Sequence, residues 1–229
     1  MKNIVILSGA GMSAESGILT FRDMGGMWEK YNIEEVASPE AWKNNPQLVL
    51  DFYNERRKKL IESKPNKGHE IIAAWEKDFK VQIVTQNVDD LHERAGSTNV
   101  LHLHGELRKV RSTVYPELIY NLDGWELKLG DLCEKGHQLR PHIVWFGENV
   151  DKIGEAQKIV EHADFIVVVG TSFKVAPASY LINFANKNVP IYIIDPVKPD
   201  VNANTNKNII FIEEKASIGL EKLNEILLN

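Results

Sequence analysis

Short β-branched runs alternate with stretches of helical periodicity over most of the chain. The runs lie between turn residues and predict strands at Ile4–Leu7, Val81–Thr85, Val100–Leu103, Ile143–Phe146, Phe165–Val169, Ile191–Ile194 and Ile209–Ile212. The helical patterns cover Lys67–Lys77, Val88–Ala95, Lys152–His162, Ala176–Asn188 and Ile218–Leu228. Such alternation is typical of βαβ units on a parallel sheet that is covered by helices on both faces. We therefore predict a Rossmann-like, doubly wound α/β fold.

Two insertions interrupt this alternation. Residues 24–65 show helical patterns without a strand, and a helix is predicted to begin near Pro46 with Asn45 as its cap. Residues 107–141 show short strands and turns. We expect the two insertions to form a small domain beside a Rossmann-like domain built from residues 1–23, 66–106 and 142–229. The cleft between the two domains would be the natural ligand site.

Composition and charge narrow the classes of function. The chain of 229 residues has a formal net charge of −5, which argues against a groove that grips nucleic acid by charge. Its single cysteine, Cys133, cannot form a disulfide within the chain, which fits a reducing compartment. The apolar run Ile4–Leu7 is too short for a signal peptide or a membrane span. We expect a cytoplasmic protein without nucleic-acid or membrane partners; the oligomeric state is open, with a monomer favoured.

A glycine-rich turn follows the first predicted strand. The stretch Ser8-Gly9-Ala10-Gly11-Met12-Ser13-Ala14 fits the dinucleotide fingerprint G-x-G-x-x-G/A. A helix that begins near Ser13 would offer free N–H groups to a pyrophosphate, although the fingerprint alone also fits a turn without a ligand. An ordinary dehydrogenase is disfavoured, because no strand precedes the region where such enzymes carry their ribose-binding acid.

Polar side chains follow two further strands. Gln86, Asn87 and Asp89 come after Val81–Thr85, where the ligand crevice of an α/β sheet lies, although Asn87 or Asp89 could merely cap the next helix. His102 and His104 share one face at the end of the next strand, and a histidine there suits a general base. The pattern alone does not choose between these two histidines.

Five separated motifs resemble the sirtuin family, in the family's order and across nearly the whole chain. They are Gly9–Ile18 with Thr20-Phe21-Arg22, Thr85–His92, His104–Leu107, Leu139–Pro141 through Trp145–Glu148, and Gly170-Thr171-Ser172. The resemblance implies an enzyme that consumes NAD and removes acyl groups from lysine in acylated proteins, its substrates. The products would be free lysine, nicotinamide and O-acyl-ADP-ribose. Protein ADP-ribosyl transfer, NAD hydrolysis and an inactive NAD-sensing module are the alternatives.

The resemblance also implies roles for individual residues. The base would be His104, with Asn87 positioning the ribose and a water molecule and Asp89 beside it at the nicotinamide end. The peptide substrate would lie as an added strand along Val144, Phe146, Gly147 and Glu148. Asp195 stands where the family more usually has asparagine against the adenosine ribose. The full set implied for NAD binding is Gly9, Ala10, Gly11, Ser13, Glu15, Phe21, Arg22, Gln86, Asn87, Asp89, Gly170, Thr171, Ser172, Asp195 and Ala216.

The chain departs from most sirtuins at the zinc site. The family's two Cys-x-x-Cys pairs would fall near Ser112 and Tyr115 and at Cys133 and Gly136, so only Cys133 remains, with His137 nearby. Two candidate ligands cannot complete a tetrahedral site. We therefore expect no zinc and a degenerate zinc-ribbon-like insertion, held together by apolar residues, namely Val114, Leu118, Ile119, Trp125, Leu127 and Leu129.

The helix after Pro46 carries a second departure. Val49, Tyr53, Arg56 and Leu60 share one face of this helix, so Arg56 occupies a position where an apolar residue is expected. Arg56 could simply extend along the surface beside a solvated basic run. The alternative is that Tyr53 and Arg56 face the cleft and bind an acidic acyl group, since arginine holds a carboxylate through two hydrogen bonds. Tyr-x-x-Arg resembles the motif of sirtuins that remove succinyl and malonyl groups, so we predict desuccinylase activity, with deacetylase activity beside it.

Overall fold

The main body of the molecule is a six-stranded parallel sheet. The computed structural model describes residues 1–18, 32–171, 178–198 and 208–228. The sheet has the order β3-β2-β1-β7-β8-β9, and every neighbouring pair is parallel. Its strands are β1 (Asn3–Ser8), β2 (Lys80–Thr85), β3 (Val100–His102), β7 (Phe165–Val169), β8 (Ile191–Ile194) and β9 (Ile209–Ile212). The strand order reverses direction at β1, so the carboxyl ends of β1, β2 and β7 meet where an α/β sheet binds its ligand.

Helices cover both faces of this sheet. In the described residues they are α1 (Gly11–Ala14), α2 (Ile33–Val36), α3 (Pro39–Asn44), α4 (Pro46–Glu62), α5 (Lys67–Ala74, continued by a 3₁₀ turn to Lys77), α6 (Leu91–Arg94), α7 (Ile153–Glu161), α8 (Ala178–Leu181, continued by a 3₁₀ turn to Phe184) and α9 (Ala216–Leu228). Ile4 and Ile6 of β1 pack in one core cluster with α5 and α9. Val5 and Leu7 pack in another with α7 and α8. This period-2 division confirms the doubly wound fold. None of the helices so described is long and apolar enough to cross a membrane.

The predicted strand Ile143–Phe146 is wrong in its bounds and its sheet. The strand found there, β6, runs over Leu139–Ile143 and pairs antiparallel with β4 (Gly105–Ser112), which also pairs with β5 (Ile119–Asn121). After Ile143 the chain turns away, since the Trp145 amide donates to the Glu148 carboxylate at 2.8 Å. A short apolar run does not indicate which sheet its strand will join.

Two predicted helices are shorter than their patterns. The helix expected over Val88–Ala95 is reduced to α6, because the residues before it turn their side chains into the strand-end crevice. Of the helix expected over Ala176–Asn188, residues 176 and 177 lie outside the described residues, α8 and its 3₁₀ turn cover residues 178–184, and residues 185–188 are not helical.

Helix α4 begins where the sequence predicts. Pro46 is its first residue, and the side chain of Asn45 accepts a hydrogen bond from the Leu48 amide at 3.1 Å. Its face of Val49, Tyr53 and Leu60 is buried in the core of the helical insertion.

Two polar residues of α4 join this helical insertion to the β-rich one. The Asn54 side chain donates to the Leu127 carbonyl and accepts from the Leu127 amide, both at 2.9 Å. Arg57 is fully buried and donates to the Leu107 and Trp125 carbonyls, both at 2.6 Å. Burial, with a smaller contribution from the charge of Arg108, lowers the pKa of Arg57 to about 10. The position of Arg57 in a run of four basic residues gave no indication of this role.

The β-rich insertion is not held together as predicted. Of the six apolar residues proposed to stabilise it, Leu127 alone is buried, where it packs with Leu50 and Val110. Leu118 is half-buried, and the other four are exposed, namely Val114, Ile119, Trp125 and Leu129. The hydrogen bonds of Asn54 and Arg57 attach this insertion to α4, a role that was predicted for apolar packing.

The positions of the missing zinc ligands nevertheless come together. Cys133 donates to the Ser112 hydroxyl, with Sγ and Oγ 3.5 Å apart. The rings of Tyr115 and His137 have centroids 5.4 Å apart, and the Lys135 ammonium lies 3.9 Å from the Tyr115 ring centroid. Within the described ranges, no three or more His, Cys, Asp or Glu residues form a group that could hold a metal ion. These residues do not fit a zinc ion, which needs about four Cys or His ligands.

The first expected outcome concerns metal content. Because a hydrogen bond and a contact between two tilted rings occupy the positions of the metal ligands, dialysis against EDTA should leave the thermal unfolding temperature unchanged. Elemental analysis of protein purified without chelator should find substoichiometric zinc. Stoichiometric zinc, or a fall in unfolding temperature after EDTA, would contradict this assignment.

A second expected outcome concerns Gly105, where β4 and β6 approach closely. Its φ is +82°, and an added Cβ would lie 2.1 Å from the His142 carbonyl oxygen. Gly105→Ala should lower the free energy of unfolding by more than about 3 kcal/mol, measured by urea denaturation, because steric overlap adds to left-handed strain. Gly124→Ala is the matched control, since its φ is +75° but nothing lies within 4 Å of the added atom. Equal losses of unfolding free energy in the two variants would show that the steric overlap at Gly105 does not destabilise the fold.

Candidate functional site

The glycine turn after β1 packs against the end of β7. The Gly9 amide donates to the Val169 carbonyl at 3.0 Å, and the Gly11 amide donates to the Gly170 carbonyl at 2.8 Å. A Cβ on Gly11 would lie 2.7 Å from the Gly170 Cα, and Gly170 itself has a φ of +63°. Glycine is therefore required on both sides of this contact.

The expectation of free N–H groups in this turn needs correction. The amides of Gly11, Met12 and Ser13 donate to the carbonyls of Gly170, Gly9 and Ala10. Helix α1 is also only four residues long. The turn closes on itself and on β7, so these three amides are engaged within the protein.

Ser13 links two of the predicted catalytic residues. The Asn87 amide Nδ2 donates to the Ser13 hydroxyl at 3.1 Å, and this hydroxyl donates to the Asp89 carboxylate at 2.9 Å. All three side chains are buried. The other Asp89 oxygen accepts from the Leu91 amide at 3.2 Å. Asp89 thus holds the turn into α6 and also belongs to the polar cluster at the strand ends. Burial raises the pKa of Asp89, although the bonds from Ser13 and Leu91 oppose the shift.

The two histidines after β2 occupy different environments. His104 is half-buried, and its Nδ1 lies 3.1 Å from the Gln86 carbonyl oxygen. Burial lowers the pKa of His104, and the bond to Gln86 opposes this. His102 is buried, with Nδ1 3.0 Å from the Asn87 carbonyl oxygen and Nε2 2.7 Å from a Glu93 carboxylate oxygen. Of the two, His104 is the one with access to a ligand.

The remaining positions implied for NAD surround the same strand ends. Thr171 donates to the Gln86 side-chain oxygen at 3.4 Å. Glu15 accepts from the amide and hydroxyl of Ser217 at 2.9 and 2.8 Å, and so holds the start of α9.

Ala216 is buried as the first residue of α9. Asp195 is buried directly after β8, where it accepts from the Val197 amide at 2.9 Å. Ala10 is half-buried in the turn before α1. Phe21, Arg22 and Ser172 lie outside the described residues.

The predicted peptide strip follows β6. The Val144 amide donates to the His104 carbonyl at 2.9 Å, and the Phe146 amide donates to the Ala37 carbonyl at 3.0 Å. Phe146 and Gly147 are exposed, and Gly147 has a φ of +91°. The strip therefore begins directly beside His104.

Glu148 has a structural role that the resemblance did not indicate. Its carboxylate pairs with Arg140, with N–O distances of 2.7 and 3.1 Å, and with Arg111 at 3.3 and 3.4 Å. These partners lower the pKa of Glu148 below its usual range, although burial opposes the shift. Its side chain supports the turn rather than lying open to a peptide.

Tyr53 and Arg56 lie at the edge of this cluster. Tyr53 is buried, and its hydroxyl oxygen accepts from the Trp145 ring nitrogen at 3.0 Å. Burial raises the pKa of Tyr53 to about 12, against the opposing charge of Arg56. The Arg56 guanidinium lies 5.4 and 5.8 Å from the ring centroids of Phe52 and Tyr53. Burial lowers the pKa of Arg56, while the charges of Tyr53 and Asp89 raise it.

Three supporting residues were missed in the sequence. Trp145 bonds to Tyr53 and stacks under Arg140, whose guanidinium carbon lies 3.3 Å from the ring centroid. Asn66 caps α5 and also donates to the Met12 carbonyl at 2.8 Å, which ties the glycine turn to that helix. Glu93 holds His102. Because Asn66 precedes a helical pattern, the sequence predicts that it caps the helix. No sequence signal indicates its contact with Met12.

Comparisons with known proteins agree with this geometry. The Sir2 family model matches residues 9–177. An NAD-dependent protein deacylase of Bacteroides thetaiotaomicron is 52% identical over 233 residues, covering 100% of this chain and 99% of its own length. A protein of the same name from Helicobacter pylori strain J99 is 55% identical over 225 residues, covering 97% of this chain and 94% of its own. A solved structure of a Sir2 homolog in complex with NAD superposes with a TM-score of 0.87 at 40% identity, covering 99% of this chain and 90% of its own.

The family match begins at Gly9, directly after β1, and covers β2, β3 and β7, so it includes the residues of the polar cluster at the strand ends. The resemblance inferred from five separated motifs is therefore confirmed. On this match, and on relatives more than half identical over nearly their full length, the chain belongs to the Sir2 (sirtuin) family.

Proposed function

We propose that this protein consumes NAD to remove acyl groups from protein lysine, and that it prefers succinyl and malonyl groups over acetyl. NAD-dependent deacylation is supported by membership of the Sir2 family, by the names of both relatives and by the NAD complex of a homolog. The preference for acidic acyl groups rests on this chain's own residues.

The observation that carries this preference is the position of Arg56. Three of the four residues on its face of α4 are buried and apolar or aromatic, yet Arg56 is a half-buried cation among them. The charge of Asp89, a member of the polar cluster, acts on Arg56 and raises its pKa against the effect of burial. An arginine stays protonated and offers a planar set of donors that matches a carboxylate. A succinyl or malonyl carboxylate is a ligand that these donors fit.

The Tyr53 hydroxyl is prepared to donate to the same carboxylate. Its oxygen already accepts from Trp145, so the hydroxyl proton remains for another acceptor. The raised pKa of about 12 keeps this proton in place over the working range of pH. Tyr53 and Arg56 together offer an acyl carboxylate a neutral donor and a charged donor.

His104 is suited to accept the proton of a ribose hydroxyl. When Nδ1–H donates to the Gln86 carbonyl, Nε2 carries the lone pair, and Nε2 has no hydrogen-bond partner in the part of the chain that the structure describes. The lowered pKa of His104 keeps the ring neutral, as a base requires. On the acid side, deacylation should therefore decline as pH falls through the pKa of His104.

The test of the activity uses NAD and matched peptides that carry acetyl-lysine or succinyl-lysine. Mass spectrometry would follow deacylated peptide, nicotinamide and O-acyl-ADP-ribose. We expect all three products in equal amounts and faster removal of succinyl. Nicotinamide without deacylated peptide would point to NAD hydrolysis or ADP-ribosyl transfer. Faster removal of acetyl would contradict the proposed preference.

Arg56→Met tests the charge while it keeps most of the side-chain volume. Loss of a charge-assisted contact of about 1.5–3 kcal/mol should lower kcat/KM for the succinyl peptide by roughly ten- to a hundred-fold, chiefly through KM. The acetyl peptide should be affected by less than about threefold, because it makes no such contact. Lys59→Met is the matched control, since it removes a charge from an exposed position of the same helix. Equal losses with both peptides would exclude a role in acyl recognition.

Trp145→Phe tests the support of Tyr53. It removes the ring N–H that fixes the tyrosine hydroxyl but keeps an aromatic ring against Arg140. We expect a loss in succinyl kcat/KM of roughly fivefold, as for one neutral hydrogen bond, and a smaller loss with acetyl. The double variant with Tyr53→Phe should lose less than the product of the two single losses, because both remove the same contact. Full additivity would show that Trp145 acts independently of Tyr53.

A further inference from the structure

His102 lies between two acceptors, and neither of them can donate. On one side is the Asn87 carbonyl oxygen, 3.0 Å from Nδ1. On the other is a Glu93 carboxylate oxygen, 2.7 Å from Nε2. A neutral imidazole has one N–H, so in either tautomer one of its lone pairs would face an oxygen lone pair. The protonated ring has two N–H groups and satisfies both acceptors.

The burial of His102 increases the free-energy difference between the protonated and the neutral ring. The side chain is 4% exposed, so water cannot readily take the place of a missing partner. Burial lowers the pKa of His102, but the hydrogen bond and charge of Glu93, together with the Asn87 carbonyl, raise it further, and the net pKa lies above the usual value. The charge and the hydrogen-bond geometry therefore favour the same protonated state.

Four other ionisable groups interact with His102. Glu93 contacts it from α6, and Glu106 of β4 adds a further negative charge. The Asp89 carboxylate is stabilised by the same histidine. His92 of α6 repels a cation, but burial holds the pKa of His92 well below its usual value, so His92 stays neutral. The charges that surround His102 are thus carboxylates.

His102 contacts the Asn87–Asp89 loop, which carries two of the predicted catalytic residues. The residue it holds, Asn87, also donates through its side chain to Ser13, which donates to Asp89. His104 holds the adjacent carbonyl, that of Gln86. The two histidines therefore fix two consecutive peptide units, one by a ring with access to a ligand and one by a buried ring.

We propose that His102 acts as a buried imidazolium, paired with Glu93, that positions the Asn87–Asp89 loop, and that its loss of a proton sets the alkaline limit of turnover. This role rests on the proposed NAD chemistry, because it needs that loop to be used in catalysis. When the ring becomes neutral, one of its two acceptors loses its donor and the loop is released. His102 is a positioning residue, while His104 is the base.

The kinetic test compares the pH profile of kcat in the wild type and in Glu93→Gln. The wild type should show an acid limb set by His104 and an alkaline limb set by His102. Glutamine still accepts from Nε2 but removes the negative charge, so the alkaline midpoint should move to lower pH by about one unit or more. The acid midpoint should not move. Tyr53, with its pKa of about 12, lies too high to supply the alkaline limb.

Glu70→Gln is the matched control, because it removes a carboxylate from an exposed pair with Lys67 on α5. Its profile should coincide with that of the wild type. A Glu93→Gln variant that loses activity equally at every pH, with an unmoved alkaline midpoint, would overturn the proposal and leave Glu93 a merely structural role.

A second measurement does not depend on activity. The chain has seven histidines, and NMR of the protein with ¹³C-labelled histidine would follow the protonation of each ring. His102→Gln assigns the resonance by its disappearance. The His102 ring should stay protonated above the usual histidine range, and the Asn87 amide shift should follow its titration. Titration of His102 at or below its ordinary pKa, or an Asn87 shift that ignores it, would overturn the proposal even in a protein that shows no turnover.

Discussion

The carboxyl ends of β1 and β7 meet more closely than side chains allow. A Cβ at Gly11 would lie 2.7 Å from the Gly170 Cα, so this contact exists only between glycines. The contact fixes where the chain leaves β1, and two residues later Ser13 reaches the polar side chains that follow β2. A steric constraint on two residues without side chains therefore determines the arrangement of the charged and polar groups around them.

Within that arrangement, hydrogen bonds run in a defined direction. Asn87 donates to Ser13, and Ser13 donates to Asp89. Each member is buried, and an unpaired polar atom in a medium of low dielectric constant is costly, so the members can move only together. Arg57 is a buried cation on α4 that donates through Nε and Nη1 to backbone carbonyls, while its Nη2 has no hydrogen-bond partner among the described residues. The inserted segments are thus held by apolar clusters together with the buried hydrogen bonds of Asn54 and Arg57.

The sequence was informative where local chemistry decides the structure. Asn45 and Pro46 predicted the start of α4, and the apolar run Ile4–Leu7 predicted a buried first strand. Prediction from the sequence failed where the residues in contact belong to different elements of the fold. Nothing near Ile143 shows that its strand pairs with β4 rather than with the main sheet. The contact between Glu93 and His102 joins a helix to a strand end, and Trp145 meets Tyr53 across 92 positions of sequence. Such contacts depend on how elements pack, which periodicity does not encode.

Helix α4 presents adjacent residues to two different parts of the molecule. Tyr53 bonds to Trp145, next to the turn at Glu148, while Asn54 and Arg57 bond to the backbone of the β-rich insertion. Side chains with two different sets of partners therefore share the same turns of one helix. The acceptors at Leu107, Trp125 and Leu127 are backbone carbonyls, which every residue type offers. The attachment of the β-rich insertion therefore depends on Asn54, Arg57 and the path of the backbone, and the side chains at those three positions can vary without breaking these bonds.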